Sequence, residues 1–254
     1  MIRVEPASLA RAGGLHAPDP ASSLPVLAVT GLAKERRLAS GPGVEAVGAG
    51  GNPARLAALL TSRDPPGCRA IVSIGIAGGL DPDLVPGDVV VAAGIVAADR
   101  RYEADPAVAA ALLARLVLPG GTVRSGDLAG VDAAVMSVAG KAEMRARTRA
   151  LAVDMESHVA AAFAERHGLP FAAIRVVCDP AHRALPAFAA QALKPNGEPD
   201  ILAVLSALAR GSARIGDLVR LARDSNAAFG ALSRCRTLLG PSLGVPPYED
   251  RRGA

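Results

Sequence analysis

The chain has 254 residues and a formal net charge of +4, and its length fits one large domain or two small ones. A charged fraction of 20% beside 50% hydrophobic residues is typical of a chain that buries a core, which argues against intrinsic disorder. Aromatic residues make up 2% of the chain, too few for the stacking platforms of single-strand nucleic-acid binders, and the arginines form no long run. We therefore expect no nucleic-acid partner.

Targeting signals and disulfides are not indicated by the sequence. The opening segment Met1–Pro6 lacks a long apolar region, and charged residues, glycine or proline interrupt each apolar run before it could span a bilayer. Cys68, Cys178 and Cys235 have neither metal-ligand spacing nor the even count of a disulfide framework. We expect buried free thiols, no metal site and a cytoplasmic protein.

Apolar strands and helical segments alternate along the chain. Residues 1–24 lack periodicity and are predicted to form an irregular N-terminal arm. The patterns that follow predict strands at 24–30, 69–74, 87–93, 151–153 and 171–177, and a β-rich stretch at 122–138. They predict helices at 34–38, 54–60, 106–116, 141–148 and 156–167, and a helical region at 200–239. This alternation predicts one α/β domain with a central mixed sheet flanked by helices and a helical C-terminal extension.

Motifs of other enzyme classes fail on spacing. Gly48-Ala49-Gly50 starts like a dinucleotide-binding fingerprint, but Pro53 occupies the position of its third glycine.

Polar and glycine-rich segments remain at the ends of predicted strands. Gly75–Gly79 ends the second strand, Asp154–Ser157 follows another and opens a helix, and Asp179 ends the last one. Ligands of open α/β sheets bind outside the carboxyl ends of the strands. These segments therefore indicate a ligand site at one edge of the sheet.

Each acidic residue also has a purely structural explanation. Asp154 or Ser157 could cap the helix, Glu156 could complement its dipole, and Asp179 could start a turn before Pro180. Taken singly, these explanations are favoured. The joint arrangement of the acids with the glycine-rich segment favours a functional site.

Five segments in order resemble the nucleoside phosphorylase and nucleosidase superfamily, which includes purine nucleoside phosphorylase and methylthioadenosine/S-adenosylhomocysteine nucleosidase. They are Val72–Leu80, Gly87–Val91, Ser125–Asp127, Val153–Ser157 and Pro170–Asp179. The resemblance covers about residues 26–205 and implies a nucleoside phosphorylase-like domain over 25–240, followed by a C-terminal tail at 241–254. The stretch 177–186 and the helical region to Leu239 resemble a narrower branch, the bacterial hopanoid-associated phosphorylases.

The resemblance implies a role for each site residue. Glu156 would bind the ribose hydroxyls, Met155 would pack on the sugar, and Asp179 would support protonation of purine N7. A phosphate or nucleophile site would include Gly31, Arg36, Gly75 and Ile76, and a base pocket would include Asp127, Leu128, Ala129, Val153 and Cys178. The chemistry requires the acid, because adenine leaves readily only when a ring nitrogen gains a proton. Burial at the strand end would have to raise the pKa of Asp179.

Two departures from the family pattern concern the nucleophile. Ile76 stands where relatives commonly have Ser or Thr. In a gap-free alignment Arg36 replaces the glutamate that activates water in the nucleosidases, and a cation there suits phosphate. This alignment favours phosphorolysis, with inorganic phosphate as co-substrate and no other cofactor. A shift of one residue would put Glu35 at the base position, and residues 34–37 could also be ordinary surface charges.

The narrower branch implies a lipid-linked substrate. It would be adenosylhopane, a purine nucleoside with a triterpenoid on its 5′ carbon, cleaved to adenine and a phosphorylated ribosylhopane. This implies transient contact with a membrane surface, and the family implies a homo-oligomer. The alternatives are a hydrolytic nucleosidase and a non-catalytic ligand-binding member of the fold, the second suggested by Ile76.

The aromatic residue that stacks on the purine in relatives is also missing. Leu128-Ala129-Gly130 follows Asp127 where a phenylalanine commonly stands. The base would then rest on aliphatic groups or on one of the few rings, with Phe188 the first candidate. Such a pocket would depend on the 5′ substituent for much of its affinity.

Overall fold

The computed structural model describes residues 24–63, 66–98, 100–118, 120–186, 197–198 and 215–247. The strands are β1 (Val26–Thr30), β2 (Val44–Gly48), β3 (Ala70–Gly79), β4 (Val89–Ala97), β5 (Arg100–Glu103), β6 (Val123–Gly130), β7 (Ala152–Asp154) and β8 (Phe171–Asp179). The helices are α1 (Ala33–Ala39), α2 (Pro53–Thr61), α3 (Pro106–Arg115), α4 (Val138–Thr148), α5 (Ser157–Arg166) and α6 (Ile215–Leu239), followed by a 3₁₀ turn at Pro241–Gly244. The predicted arm before Leu24 and residues 199–214 lie outside the described residues.

Three helices begin at side chains that satisfy free backbone N–H groups. Asn52, Asp105 and Ser137 each accept a hydrogen bond from the backbone three residues on, at 2.9, 2.9 and 3.0 Å. Proline follows the first two caps, where its missing N–H costs nothing. These caps fix where α2, α3 and α4 start.

The strands form one mixed eight-stranded sheet. Strands β3, β8, β4, β6 and β7 pair successively, and β7 pairs again with β3, so this part of the sheet closes into a ring. Strands β1 and β2 extend it in parallel from β3, and β5 extends it from β4. The predicted α/β domain with a central mixed sheet and flanking helices is confirmed.

The core lies on both faces of the sheet. One apolar cluster joins β1, β3, β4 and β8 to α3 and α6, and the other joins the same strands to α2 and α5. This explains why the strands are continuous apolar runs: both faces of β1 are buried along its whole length. None of the described helices combines the length and apolar character that a membrane span requires.

Candidate active site

Three parallel strands end side by side at the site. β3 pairs in parallel with β1 and with β8, so Gly31 after β1, the Gly75–Gly79 end of β3 and Asp179 at the end of β8 meet at one edge. The short strand β7 runs antiparallel to β3, and it brings Asp154 and then Glu156 to the same place. The acidic residues that the sequence places at strand ends are thus neighbours in the fold.

Arg175 is the centre of a buried polar cluster beneath this edge. Its side chain is fully buried, and Nη2 donates to Ser73 Oγ at 2.7 Å, to Asp154 Oδ1 at 2.8 Å and to Ser157 Oγ at 3.1 Å. The same nitrogen lies 3.5 Å from Glu156 Oε2. A buried guanidinium is tolerated when carboxylates surround it in this way. Sequence reasoning assigned no role to Arg175, although a charged residue inside an apolar strand is itself a sign of a buried ion pair.

Asp154 caps the start of α5, as the structural explanation in the sequence analysis proposed. It also binds Arg175. Its Oδ1 accepts from the backbone N–H groups of Glu156 at 2.9 Å and Ser157 at 2.7 Å. Burial opposes its ionisation, but Arg175 and these hydrogen bonds together lower the pKa of Asp154. The carboxylate is therefore charged and orients Arg175 and the start of α5.

Glu35 is a buried member of the site. Its Oε2 accepts from the backbone N–H groups of Gly31 at 2.8 Å and Leu32 at 2.6 Å, and Oε1 accepts from Ile76 N–H at 2.7 Å. Burial raises the pKa of Glu35, against the opposing effects of Arg175 and the three N–H groups. A carboxyl group with a raised pKa has the properties of a general base near neutral pH.

Glu156 also titrates far from its ordinary range. Burial is the largest cause, and repulsion from Asp154 and Glu35 adds to it, so that despite Arg175 the pKa of Glu156 rises to about 8. The carboxyl group is then largely protonated at neutral pH. A protonated Glu156 can both donate and accept hydrogen bonds, which suits a diol.

Asp179 forms an ion pair with Lys141 of α4. Lys141 Nζ lies 2.6 Å from Asp179 Oδ2, and the lysine side chain is fully buried. Burial raises the pKa of Asp179, while the Lys141 ammonium opposes the increase. Sequence reasoning also assigned no role to Lys141, the second buried charged residue of the site that it missed.

These groups share one small cavity of about 180 Å³, here called the inner cavity. Its described lining includes the predicted residues Gly31, Ile76, Val153, Met155, Glu156 and Asp179, together with Glu35 and Asp154. Gly75 lies beneath it, because a Cβ on Gly75 would come within 2.6 Å of Glu35 Oε1. Most of the predicted ribose and nucleophile residues are thus brought together.

A larger apolar cleft of about 1630 Å³ adjoins the inner cavity and shares Ile76, Met155 and Asp179 with it. The other described lining residues are mostly apolar, and they include Cys178, Leu218, Leu221, Ala222 and Phe229. The Lys34 ammonium lies over the ring of Phe229, 4.1 Å from the ring centroid. Among the aromatic candidates for the base, Phe229, Phe163 and Tyr102 line this cleft, whereas Phe188 lies outside the described residues.

Four predicted site residues lie elsewhere. Arg36 is exposed on α1, so the one-residue shift that places Glu35 at the site is the arrangement in the structure. Leu128 and Ala129 are fully buried in the sheet, and Asp127 forms two hydrogen bonds of 2.8 Å with Arg101. None of these four is among the described residues that line the inner cavity or the cleft. The gap-free alignment put Arg36 where the structure has Glu35. Asp127, Leu128 and Ala129 lie on β6, before the part of the chain that reaches the cavity.

The family model of the phosphorylase superfamily matches residues 25–220, most of the chain and every strand of the sheet. The chain belongs to the phosphorylase superfamily. None of the curated proteins matches the sequence.

Solved structures share the fold of this superfamily member at low identity. The 5′-methylthioadenosine/S-adenosyl homocysteine nucleosidase of Helicobacter pylori superposes with a TM-score of 0.60 at 15% identity, over 84% of this chain and 97% of the nucleosidase. The nucleosidase of Neisseria meningitidis, in complex with methylthio-immucillin-A, gives 0.57 at 19% identity, over 82% and 97%. A futalosine hydrolase mutant of H. pylori gives 0.54 at 17% identity, over 61% and 89%.

Proposed function

We propose that the protein cleaves the N-glycosidic bond of an adenosine-type nucleoside and releases adenine, with water as the nucleophile. The observation that carries this proposal is the inner cavity, where Glu35, Glu156 and Asp179 face one space at the end of parallel strands. The solved neighbours include nucleosidases, one of them bound to a purine nucleoside analogue, which supports the same chemistry.

Each acid has a distinct task in this reaction. Asp179 gives a proton to the purine as the glycosidic C–N bond breaks, and the electron pair of the bond leaves with the base. Glu156 holds the ribose hydroxyls beside the Met155 side chain. Glu35 in its ionised form takes a proton from the attacking water, and until then its negative charge stabilises the positive charge that develops on the sugar.

The environment of Glu35 favours water over phosphate. Three carboxyl groups, Glu35, Asp154 and Glu156, surround a single guanidinium in this cluster, and Arg175 already donates to Asp154. The carboxyl groups leave the cluster without the excess positive charge that would bind an incoming phosphate dianion, and an ionised Glu35 would repel it. Phosphorolysis stays as the second candidate because Lys34 of the cleft could supply a cation.

The apolar cleft supports an apolar group on the 5′ carbon of the nucleoside. The cleft is far larger than the inner cavity and is lined mostly by aliphatic and aromatic side chains. A methylthio group would occupy little of it. A lipid-linked nucleoside such as adenosylhopane would bury much more apolar surface there, at about 25 cal/mol per Å².

One experiment separates the candidate reactions. Purified protein is incubated with adenosine, 5′-methylthioadenosine and adenosylhopane, with and without inorganic phosphate, and free adenine and the sugar product are measured. We expect adenine and a free ribose product without phosphate, with the highest kcat/KM for the most apolar 5′ group. Strictly phosphate-dependent release, with a ribose 1-phosphate product, would establish phosphorolysis instead. No release from any of the three would favour a binding protein.

Substitution of the two acids gives a sharper test. Asp179→Asn and Glu35→Gln keep side-chain size but remove the proton donor and the base, so each should lower kcat by about 100-fold or more. Glu143→Gln on α4 changes an exposed carboxylate and serves as the control, with unchanged kcat. Near-wild-type adenine release by a folded Asp179→Asn variant would refute the assignment of the acid.

A further inference from the structure

Lys141 is bound entirely to the segment that carries the proposed acid. Besides its 2.6 Å contact with Asp179 Oδ2, its Nζ donates to the backbone carbonyls of Asp179 at 3.1 Å, Pro180 at 3.0 Å and Arg183 at 2.9 Å. An ammonium group has three protons, so these four acceptors share them. All four belong to the end of β8 and the turn after it.

A buried lysine needs a strong compensation. Removing an ammonium from water costs several kcal/mol unless hydrogen bonds and an opposite charge replace the solvent. Lys141 is 0% exposed and stands on α4, whereas Asp179 stands on β8, so these hydrogen bonds join a helix to the edge of the sheet where the proposed acid lies.

The charged groups that face Asp179 are few among the described residues. Lys141 approaches from α4, and Asp224 approaches from α6, where it is paired with Arg183 of the turn after β8. Gly78 of β3, which pairs with Asp179, carries no charge. Among the described residues, Lys141 is therefore the cation that pairs with this carboxyl group.

We propose that Lys141 is a positioning residue for base departure, which orients the Asp179 carboxyl group and stabilises the carboxylate that remains after proton transfer. The inference rests on the proposed function. Asp179 Oδ1–H gives its proton to the purine nitrogen while the C–N bond breaks towards the base, and Asp179 becomes an anion. The Lys141 ammonium at Oδ2 compensates this charge when it forms, so its effect is larger in the transition state than in the ground state. The proton that Glu35 takes from the attacking water then passes through solvent to Asp179, which restores both groups for the next turnover.

Two substrates distinguish this role from a structural one. Adenine must be protonated to leave, whereas the nitrophenolate of 4-nitrophenyl β-ribofuranoside leaves without a proton. Lys141→Met keeps the side-chain length and removes the charge. We expect this variant to lower kcat with adenosine by about 100-fold, and with the nitrophenyl riboside by less than about threefold. Arg147→Met removes an exposed cation from the same helix and should change neither rate.

The pH profile gives a second readout. The active form of Asp179 is the protonated one, so activity falls as pH rises through its pKa. Removal of the Lys141 cation raises that pKa. The descending limb of kcat with adenosine should therefore move to higher pH in Lys141→Met, and it should not move in Arg147→Met.

A double variant keeps the inference testable if Lys141→Met alone is unstable. Lys141→Met combined with Asp179→Asn removes both charges of the buried pair, which is better tolerated than removal of one. Because Lys141 acts through Asp179, the double variant should release adenine no more slowly than Asp179→Asn by itself. A further tenfold loss would overturn the inference, as would equal losses with both substrates or no loss in Lys141→Met.

Failure of the inference is distinguishable from failure of the proposed function. If the wild-type protein releases no adenine from any adenosine-type nucleoside, the proposed function fails, and this inference with it. If it releases adenine and nitrophenolate but Lys141→Met leaves both rates unchanged, the function stands and the role of Lys141 is refuted.

Discussion

Glu156 shares its buried cluster with two further carboxyl groups and one guanidinium. If Glu35, Asp154 and Glu156 were all ionised, the cluster around Arg175 would carry two uncompensated negative charges in a site with little water. The cluster avoids this by retaining protons, and the pKa of about 8 at Glu156 is the clearest sign of it. The proton on Glu156 is therefore part of the folded state.

The stability of the protein should fall as pH rises through the neutral range. The pKa of Glu156 is about 8 when folded and 4.5 for the reference carboxyl group, so the folded state binds more protons between these values. The free energy of unfolding then decreases with pH, by up to about 1.4 kcal/mol per pH unit, and levels off above pH 8.

Glu156→Gln provides the test by denaturant titration from pH 5 to pH 9. The neutral amide does not titrate, so the variant should be more stable than wild type at pH 9 and should have a flatter pH dependence. Glu143→Gln, which alters an exposed carboxylate, should follow the wild-type curve. An unchanged slope in Glu156→Gln would assign the pH dependence to other groups.

Sequence reasoning placed Glu156 and Asp179 at the candidate site because each lies at the end of a recognisable strand, in a segment that resembles the family. It missed Arg175 and Lys141 because their partners are distant in sequence: Arg175 binds Ser73, and Lys141 binds Asp179. It left Glu35 and Arg36 as alternatives, since a one-residue shift in a short helix exchanges a buried side chain for an exposed one. Only the packing of α1 against β1 and β3 decides which residue points inward.

At the scale of single elements, the buried strands were predictable and the edge strands were not. β1, β3 and β8 are continuous apolar runs, because both of their faces are covered. β2 at one edge has a single buried residue, Val47, and β5 at the other has the sequence Arg100-Arg101-Tyr102-Glu103. Neither has an apolar run, since an edge strand with solvent on one side needs none.

The Gly75 position of β3 joins the sheet to the polar cluster. A Cβ built there would lie 2.5 Å from Arg175 Nη1 and 2.6 Å from Glu35 Oε1. Those side chains are fixed by their own hydrogen bonds and cannot move without breaking them. Strand β3 therefore needs glycine at position 75, because there is no room for a Cβ beside the Arg175 and Glu35 side chains.

Gly75→Ala should consequently destabilise the protein by about 1–3 kcal/mol and reduce adenine release, because it displaces the Glu35 and Arg175 side chains. Thermal unfolding and activity measurements would show both effects. Gly216→Ala on α6 is the matched control, since nothing lies within 4 Å of its added Cβ. That helical substitution should stabilise slightly, by about 0.5–1 kcal/mol. If Gly75→Ala were as stable as the wild type, a Cβ at this position would not displace the Glu35 and Arg175 side chains.

At the scale of the whole molecule, the chain after α6 is packed as part of the core. Leu243 and Val245 are 0% and 4% exposed, and the Arg69 guanidinium donates to the carbonyls of Val245 and Pro246 at 3.2 and 2.9 Å. Leu243 adopts a left-handed backbone conformation with φ of 51°. The resemblance implied a domain over residues 25–240 with a tail after it, and the described residues 241–244 contact β2, α3 and α6.

If this segment belongs to the same cooperative unit as the sheet, Leu243→Ala should lower the free energy of unfolding by about 2–4 kcal/mol. Leu238→Ala removes the same atoms from a residue that is 42% exposed at the end of α6, so its effect should stay below about 1 kcal/mol. Denaturant unfolding followed both by far-UV circular dichroism and by adenine release would give coincident transitions in each variant. A small effect of Leu243→Ala, or a separate early transition, would show instead that the unit ends at α6 and that the segment merely rests on it.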